Sequence, residues 1–178
     1  DLTQVDARKV ASALRSGAAA VALRVDDGLV RGAAVSAGGA QATYAPLEVS
    51  GPVHDALLDE EVDKHVHDAK VMERVLTATG GGLDGVSFDT LVAGYLLDPA
   101  TTVYDLGSLS ERYLGTDLLA GLEEGEDAGQ LFAEDPWRRT AAEAAAVGLL
   151  VPVMGERIDK EGLRALLDDV ELPLSSVL

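Results

Sequence analysis

Phe88-Asp89-Thr90-Leu91-Val92-Ala93-Gly94-Tyr95-Leu96-Leu97-Asp98-Pro99, followed by Leu106-Gly107-Ser108-Leu109-Ser110-Glu111-Arg112-Tyr113-Leu114-Gly115, carries two helix beginnings in fixed order. Asp89 or Thr90 caps the first helix, whose apolar positions Leu91, Val92, Tyr95 and Leu96 recur at three-to-four spacing; Asp98-Pro99 then ends it. Asp105 or Ser108, with Glu111 three residues after Ser108, opens the second, which runs through Leu109, Tyr113 and Leu114 and stops at Gly115. Residues 86–88 supply a short buried strand just before the pair.

Upstream, β-prone runs at 19–25, 29–36 and 41–46 are separated by Asp26-Asp27-Gly28 and Ala37-Gly38-Gly39, a spacing that predicts an antiparallel meander. Residues 53–61 read as a short acidic helix, 62–66 as a strand, and 69–78 as a helix ended by Gly80-Gly81-Gly82. Downstream, 121–127 turns rich in Gly and Glu and reads as an exposed linker. Asp135-Pro136 is a helix start, and the Ala-rich segment 141–153 is helical until Pro152 disturbs its end. A last helix over 159–169 is expected to place Leu163, Leu166 and Leu167 on one face. Strands alternating with helices give an α/β fold with a mixed sheet flanked by helices.

The chain has 178 residues, enough for one domain with a real core, built from aliphatics since only 4% of residues are aromatic. Its net charge of −17 argues against autonomous binding to a phosphate backbone. With no cysteine there is no disulfide framework, thiolate nucleophile or Cys-type zinc site. No signal peptide or membrane span is visible, so no membrane partner and a cytoplasmic location are expected. The absence of Met at position 1 reads as an excised piece of a longer chain.

As a string, the 88–115 run resembles the 3′ to 5′ exonuclease domain of bacterial family A DNA polymerases. The segment 171–178, Glu-Leu-Pro-Leu-Ser-Ser-Val-Leu, looks like the connector where that domain passes into the polymerase domain. The resemblance implies a ribonuclease H-like (DnaQ-like) fold, with 1–170 as the exonuclease-like domain and 171–178 as the connector. The rich Ala, Gly, Val and Arg usage fits a high-GC, actinobacterial type of coding. The resemblance also implies a site: two divalent metals about 4 Å apart that activate water and neutralise the developing charge. The family holds them by an Asp-x-Glu on the first strand, an Asp at the start of the helix after the fourth, and an Asp four residues after a Tyr on a late helix.

Carried over residue by residue, that pattern is erased. Setting Val21-Ala22-Leu23 on the family's apolar lead-in puts Arg24 in place of the first Asp and Asp26 in place of the Glu. In His67-Asp68-Ala69-Lys70-Val71-Met72, Lys70 stays in register and Met72 replaces the Asp. In Thr140-Ala141-Ala142-Glu143-Ala144, Thr140 replaces the Tyr and Ala144 the last Asp. A guanidinium repels cations, and a thioether has no affinity for Mg²⁺. The expectation is therefore a vestigial domain without catalytic, metal or cofactor residues, a scaffold for the polymerase domain of the same chain. DNA would be engaged through the parent enzyme, whose polymerase uses Mg²⁺ in replication and repair. The alternatives are a weak nuclease using Asp26, Asp68 and Glu143 with Mn²⁺, and an acidic module that recruits a basic partner.

Other candidates read as structure. His65 and His67 could share a strand face and form a partial metal site with Asp68, though surface histidines are the plainer reading. Ser108, Ser110, Ser175 and Ser176 lack a Gly-x-Ser-x-Gly setting and serve as caps or connector residues. Asp89 is explained as a helix cap. Trp137, Arg138 and Arg139 read as a packed helix start.

Overall fold

A computed structural model of the chain describes residues 1–47, 51–122 and 136–175, the side chain of Ser175 excepted. Asp135, most of the 121–127 linker and the last three residues of the connector, Ser176 among them, lie outside the described residues. Six strands form one mixed sheet: β1 (Leu2–Gln4), β2 (Ala19–Asp26), β3 (Leu29–Ser36), β4 (Ala42–Pro46), β5 (Lys64–Val66) and β6 (Val86–Asp89). Their order is β1-β4-β3-β2-β5-β6. The expected meander is present, β2 to β3 to β4 antiparallel, and β1, β5 and β6 add parallel to it. Parallel neighbours need crossovers, and helices supply them.

On one face lie α1 (Ala7–Arg15), α2 (Pro52–Leu57) and α3 (Ala69–Ala78). Their core joins Val10, Leu14, Leu57 and Leu76 to the sheet residues Val21, Ala33, Val35 and Ala45. On the other lie α4 (Thr90–Leu97), α5 (Leu106–Leu114) and the long α6 (Pro136–Lys160). There Ala22, Ala34, Ala42 and Tyr44 of the sheet meet Ala141, Ala144 and Ala145 of α6. Successive residues of β2 serve the two layers in turn, as pleating requires. Alanine on both sides of the α6 seam lets that helix lie close on the sheet.

Several sequence expectations change. Residues 53–61 form a helix only over Pro52–Leu57, and β5 is limited to Lys64–Val66. Lys64 is fully buried, its ammonium donating to the carbonyls of Asp59 at 2.8 Å and Val62 at 2.7 Å, which ties the entry to β5. Helix α6 does not end at Pro152 but passes through it to Lys160. Proline removes one backbone donor, yet Leu150, Met154 and Ile158 are wholly buried across it, and that burial outweighs the lost bond. Beyond α6 the chain breaks and resumes as α7 (Arg164–Leu166), a π-helical turn over Leu167–Glu171, and α8 (Leu172–Ser175). Leu167 is buried while Leu166 is exposed, so the two do not share a face. The first two elements, β1 and α1, have no counterpart in the sequence reading.

The opening motif holds the layers together. Asp89, 1% exposed, caps α4 by accepting from the amides of Leu91 (2.8 Å) and Val92 (3.4 Å). The same carboxylate accepts from the amides of Asp68 (3.1 Å) and Ala69 (2.7 Å), at the beginning of α3. One buried acid thus answers orphan donors at two helix N-termini, each positively polarised by its dipole. The α5 cap is Asp105, whose carboxylate accepts from the amide of Ser108 at 2.9 Å; Gly115 closes that helix in the left-handed conformation. Ser108 sits inside the helix, which leaves the Ser108/Glu111 capping box unformed. Asp89→Ala is expected to cost about 3 kcal/mol, against about 1 kcal/mol for Asp6→Ala, which caps α1 alone. Urea titration measures both, and equal losses would contradict the double role of Asp89.

Candidate active site

Three segments named by the resemblance meet at the carboxyl ends of β2 and β5. A cavity of about 270 Å³ there is lined by Ala22, Leu23 and Val25 of β2, by His67, Asp68 and Met72 at the start of α3, and by Glu143 and Val147 of α6, among others. Its wall is mostly aliphatic. The expected segments are therefore brought together, but not all the expected residues: Arg24, Asp26, Thr140 and Ala144 do not line this cavity.

Arg24 and Asp26 follow Ala22 along β2 on the α6 side of the sheet. The register slips between Arg24 and Val25, so that Arg24 opposes Gly32 and Val25 opposes Val30. Arg24 lies beside Tyr44 of β4, while its Nη2 donates to the Asp26 carboxylate at 2.5 Å and its Nε is buried without a hydrogen-bond partner among the described residues. Burial alone disfavours the guanidinium charge, but Tyr44 and Asp26 outweigh it and raise the Arg24 pKa. Gly32 makes room for this arrangement, since a Cβ there would stand 2.0 Å from the Tyr44 hydroxyl. Tyr44 in turn packs on Trp137 with ring centroids 6.1 Å apart, and Arg138 lies over the Trp137 ring, which makes this helix start a packed anchor.

Met72 is 7% exposed and belongs to the core on the α1–α3 side, whereas Thr140 and Ala144, at 4% and 0%, are sealed into or beside the seam on the opposite face. The donor set for a two-metal site is a guanidinium, a thioether, a methyl group and one Asp already paired with the guanidinium. It does not fit Mg²⁺, which requires several carboxylate or other hard oxygen ligands. The other carboxylates near the cavity are engaged as well. Asp68 caps α3 through the amide of Val71 at 3.1 Å, and Glu143 accepts from Arg139 Nε at 3.1 Å. Among the described residues, no group of three or more His, Asp or Glu side chains could hold a metal ion. His65 sits in another cavity, edge-on to Phe88 with centroids 6.2 Å apart, so the pair of histidines with Asp68 does not assemble.

His67 is the titratable group the sequence placed least well. Thr90 Oγ1 donates to the Val66 carbonyl at 3.3 Å and therefore accepts from His67 Nδ1, 2.9 Å away. The neutral ring thus carries its proton on Nδ1. Burial lowers the His67 pKa, against the opposing pull of Asp89, Asp68 and Asp105; burial lowers that of His65 too. The unfolded imidazole titrates near 6.5, so the stability these rings contribute is full above about pH 6.5 and is lost as pH falls through their lower folded values. His67→Asn keeps a donor to Thr90 and should flatten the loss of unfolding free energy below pH 6.5. Urea titrations from pH 7.5 to 5 measure it, and an unchanged slope would contradict the assignment.

Comparisons with known proteins agree with this architecture. Residues 34–121 match the sequence profile described as DNA polymerase I, ribonuclease H-like domain. DNA polymerase I of Mycobacterium tuberculosis is 30% identical over 154 residues, covering 82% of this chain and 17% of that protein. The chain therefore spans about a sixth of the length of its curated relatives. Among solved structures, the Mycobacterium smegmatis Pol1 polymerase in complex with DNA primer-template and dNTP superposes with a TM-score of 0.76 at 21% identity, over 98% of this chain and 30% of that one. Brucella melitensis NrnC with bound Mg²⁺ superposes with a TM-score of 0.74 at 16% identity, over 98% and 90% of the two chains. These two likenesses establish the fold. With its mixed sheet, the 88–115 helix pair and these relatives, the chain belongs to the family of ribonuclease H-like, exonuclease-type domains of DNA polymerase I.

Proposed function

We propose that this domain is a vestigial 3′ to 5′ exonuclease that no longer hydrolyses DNA and serves as a scaffold for a polymerase domain in the same protein. The observation that supports it best is the inversion at the converging segments: Arg24 stands where a carboxylate is required and is paired with Asp26 beside Tyr44. Paired with each other and turned away from the cavity, Arg24 and Asp26 offer a divalent ion there neither of the two carboxylates the family pattern calls for. The parent protein would synthesise DNA with Mg²⁺ in replication and repair, in the cytoplasm. Among the described residues no helix is long and apolar enough to cross a membrane.

The runner-up is a weak Mn²⁺-dependent nuclease. Asp68 and Glu143 line one cavity, which favours it. Each carboxylate is committed to a cap or an ion pair, and Asp26 faces away with Arg24, which argues against it. The surface charge leaves a third reading, an acidic module for a basic partner, open to binding assays. Incubating the chain with 3′-labelled single-stranded DNA in Mg²⁺ or Mn²⁺, with calorimetric titration of both ions, separates the readings. The expected result is cleavage at background level and no saturable uptake. Saturable binding accompanied by cleavage, lost in Glu143→Gln, would establish the nuclease instead.

A further inference from the structure

The terminal helical segment has two unlike faces. Leu167 is wholly buried and Leu163 and Leu172 pack partly against the same core, while Leu166, Val170 and Leu174 are 38%, 43% and 45% exposed. These three are spaced four residues apart across the π-helical turn. At about 4.4 residues per turn in that stretch and 3.6 beside it, residues four apart come round to nearly one line. The result is an apolar row on the outer side of 164–175, with Asp169 beside it and Asp168 held toward Arg164 at 3.9 Å.

The geometry points to this row as the strip on which a polymerase domain of the same protein docks, a conclusion that rests on the scaffold reading. Three side chains, each less than half exposed, are far too little surface for two free proteins, which bury about 800 Å² each. A covalently joined domain needs much less, because the tether supplies a high effective concentration. The Mycobacterium smegmatis chain, of which this domain spans 30%, carries a polymerase domain in the same molecule. Charge selects the counter-surface: an apolar groove flanked by a basic residue facing Asp169, complementary to a domain of net charge −17.

The test compares hydrogen exchange over 164–175 in the 178-residue chain and in the longer protein that joins it to a polymerase domain. Exchange should slow by about tenfold in the longer protein, and Leu166→Lys/Val170→Lys/Leu174→Lys should abolish the slowing while leaving the melting temperature of the 178-residue chain unchanged. If 164–175 exchanges equally in both proteins while another face is slowed, a different surface docks and the inference is overturned with the scaffold reading intact. If no segment of the domain is slowed, and deleting residues 1–170 leaves the longer protein's melting temperature and synthesis rate unchanged, the scaffold reading falls with it.

Discussion

The structure depends on one buried carboxylate. Asp89 stands where β6 becomes α4, and accepts four backbone amides, two from its own helix and two from the start of α3. Strand β5 runs into α3 through Asp68, a non-glycine residue held at φ 60°, a conformation that costs about 1 kcal/mol and persists where its surroundings fix it. The bond from the Asp68 amide to Asp89 is one such constraint, and the Asp68 cap on Val71 is another. Thr90 adds a bond to Val66 on the neighbouring strand and receives His67. A single tripeptide, Phe88-Asp89-Thr90, thereby fixes how the parallel half of the sheet meets the helices on both of its faces.

The same region separates fold from chemistry. Asp89 spends its oxygens on helix amides and does not line the cavity between β2, α3 and α6. The positions where the resemblance calls for metal ligands hold other groups: Arg24 paired with Asp26 beside Tyr44, Met72 in the core, Ala144 in an alanine seam.

Much of this was legible in the sequence because local chemistry carried it. The meander is written in Asp26-Asp27-Gly28 and Ala37-Gly38-Gly39, and the α4 and α5 caps in Asp89 and Asp105. The converging segments were locatable through the 88–115 run. Side-chain direction was not. That Arg24 turns toward β4 depends on Gly32 being too small to block Tyr44, a contact between strands that no single segment reveals. Strand β1 is three residues long with two of them exposed, too short for a period to show. Helix α6 continues through Pro152 because of tertiary burial, and Leu166 and Leu167, neighbours about 100° apart on a helix, divide between solvent and core where the chain enters its π-helical turn. The double role of Asp89 was half visible: its cap of α4 could be read, but its reach to α3 is a property of the packed fold.

Under the proposed reading, the segments that build an exonuclease site in the family converge here around a cleft that takes up no divalent metal. Crystals soaked in Mn²⁺ and measured at the manganese absorption edge test it most directly. The expected map has no anomalous density between β2, α3 and α6, with the Arg24–Asp26 and Arg139–Glu143 pairs intact. An anomalous peak bound by Asp68 and Glu143, with Arg139 released, would contradict it.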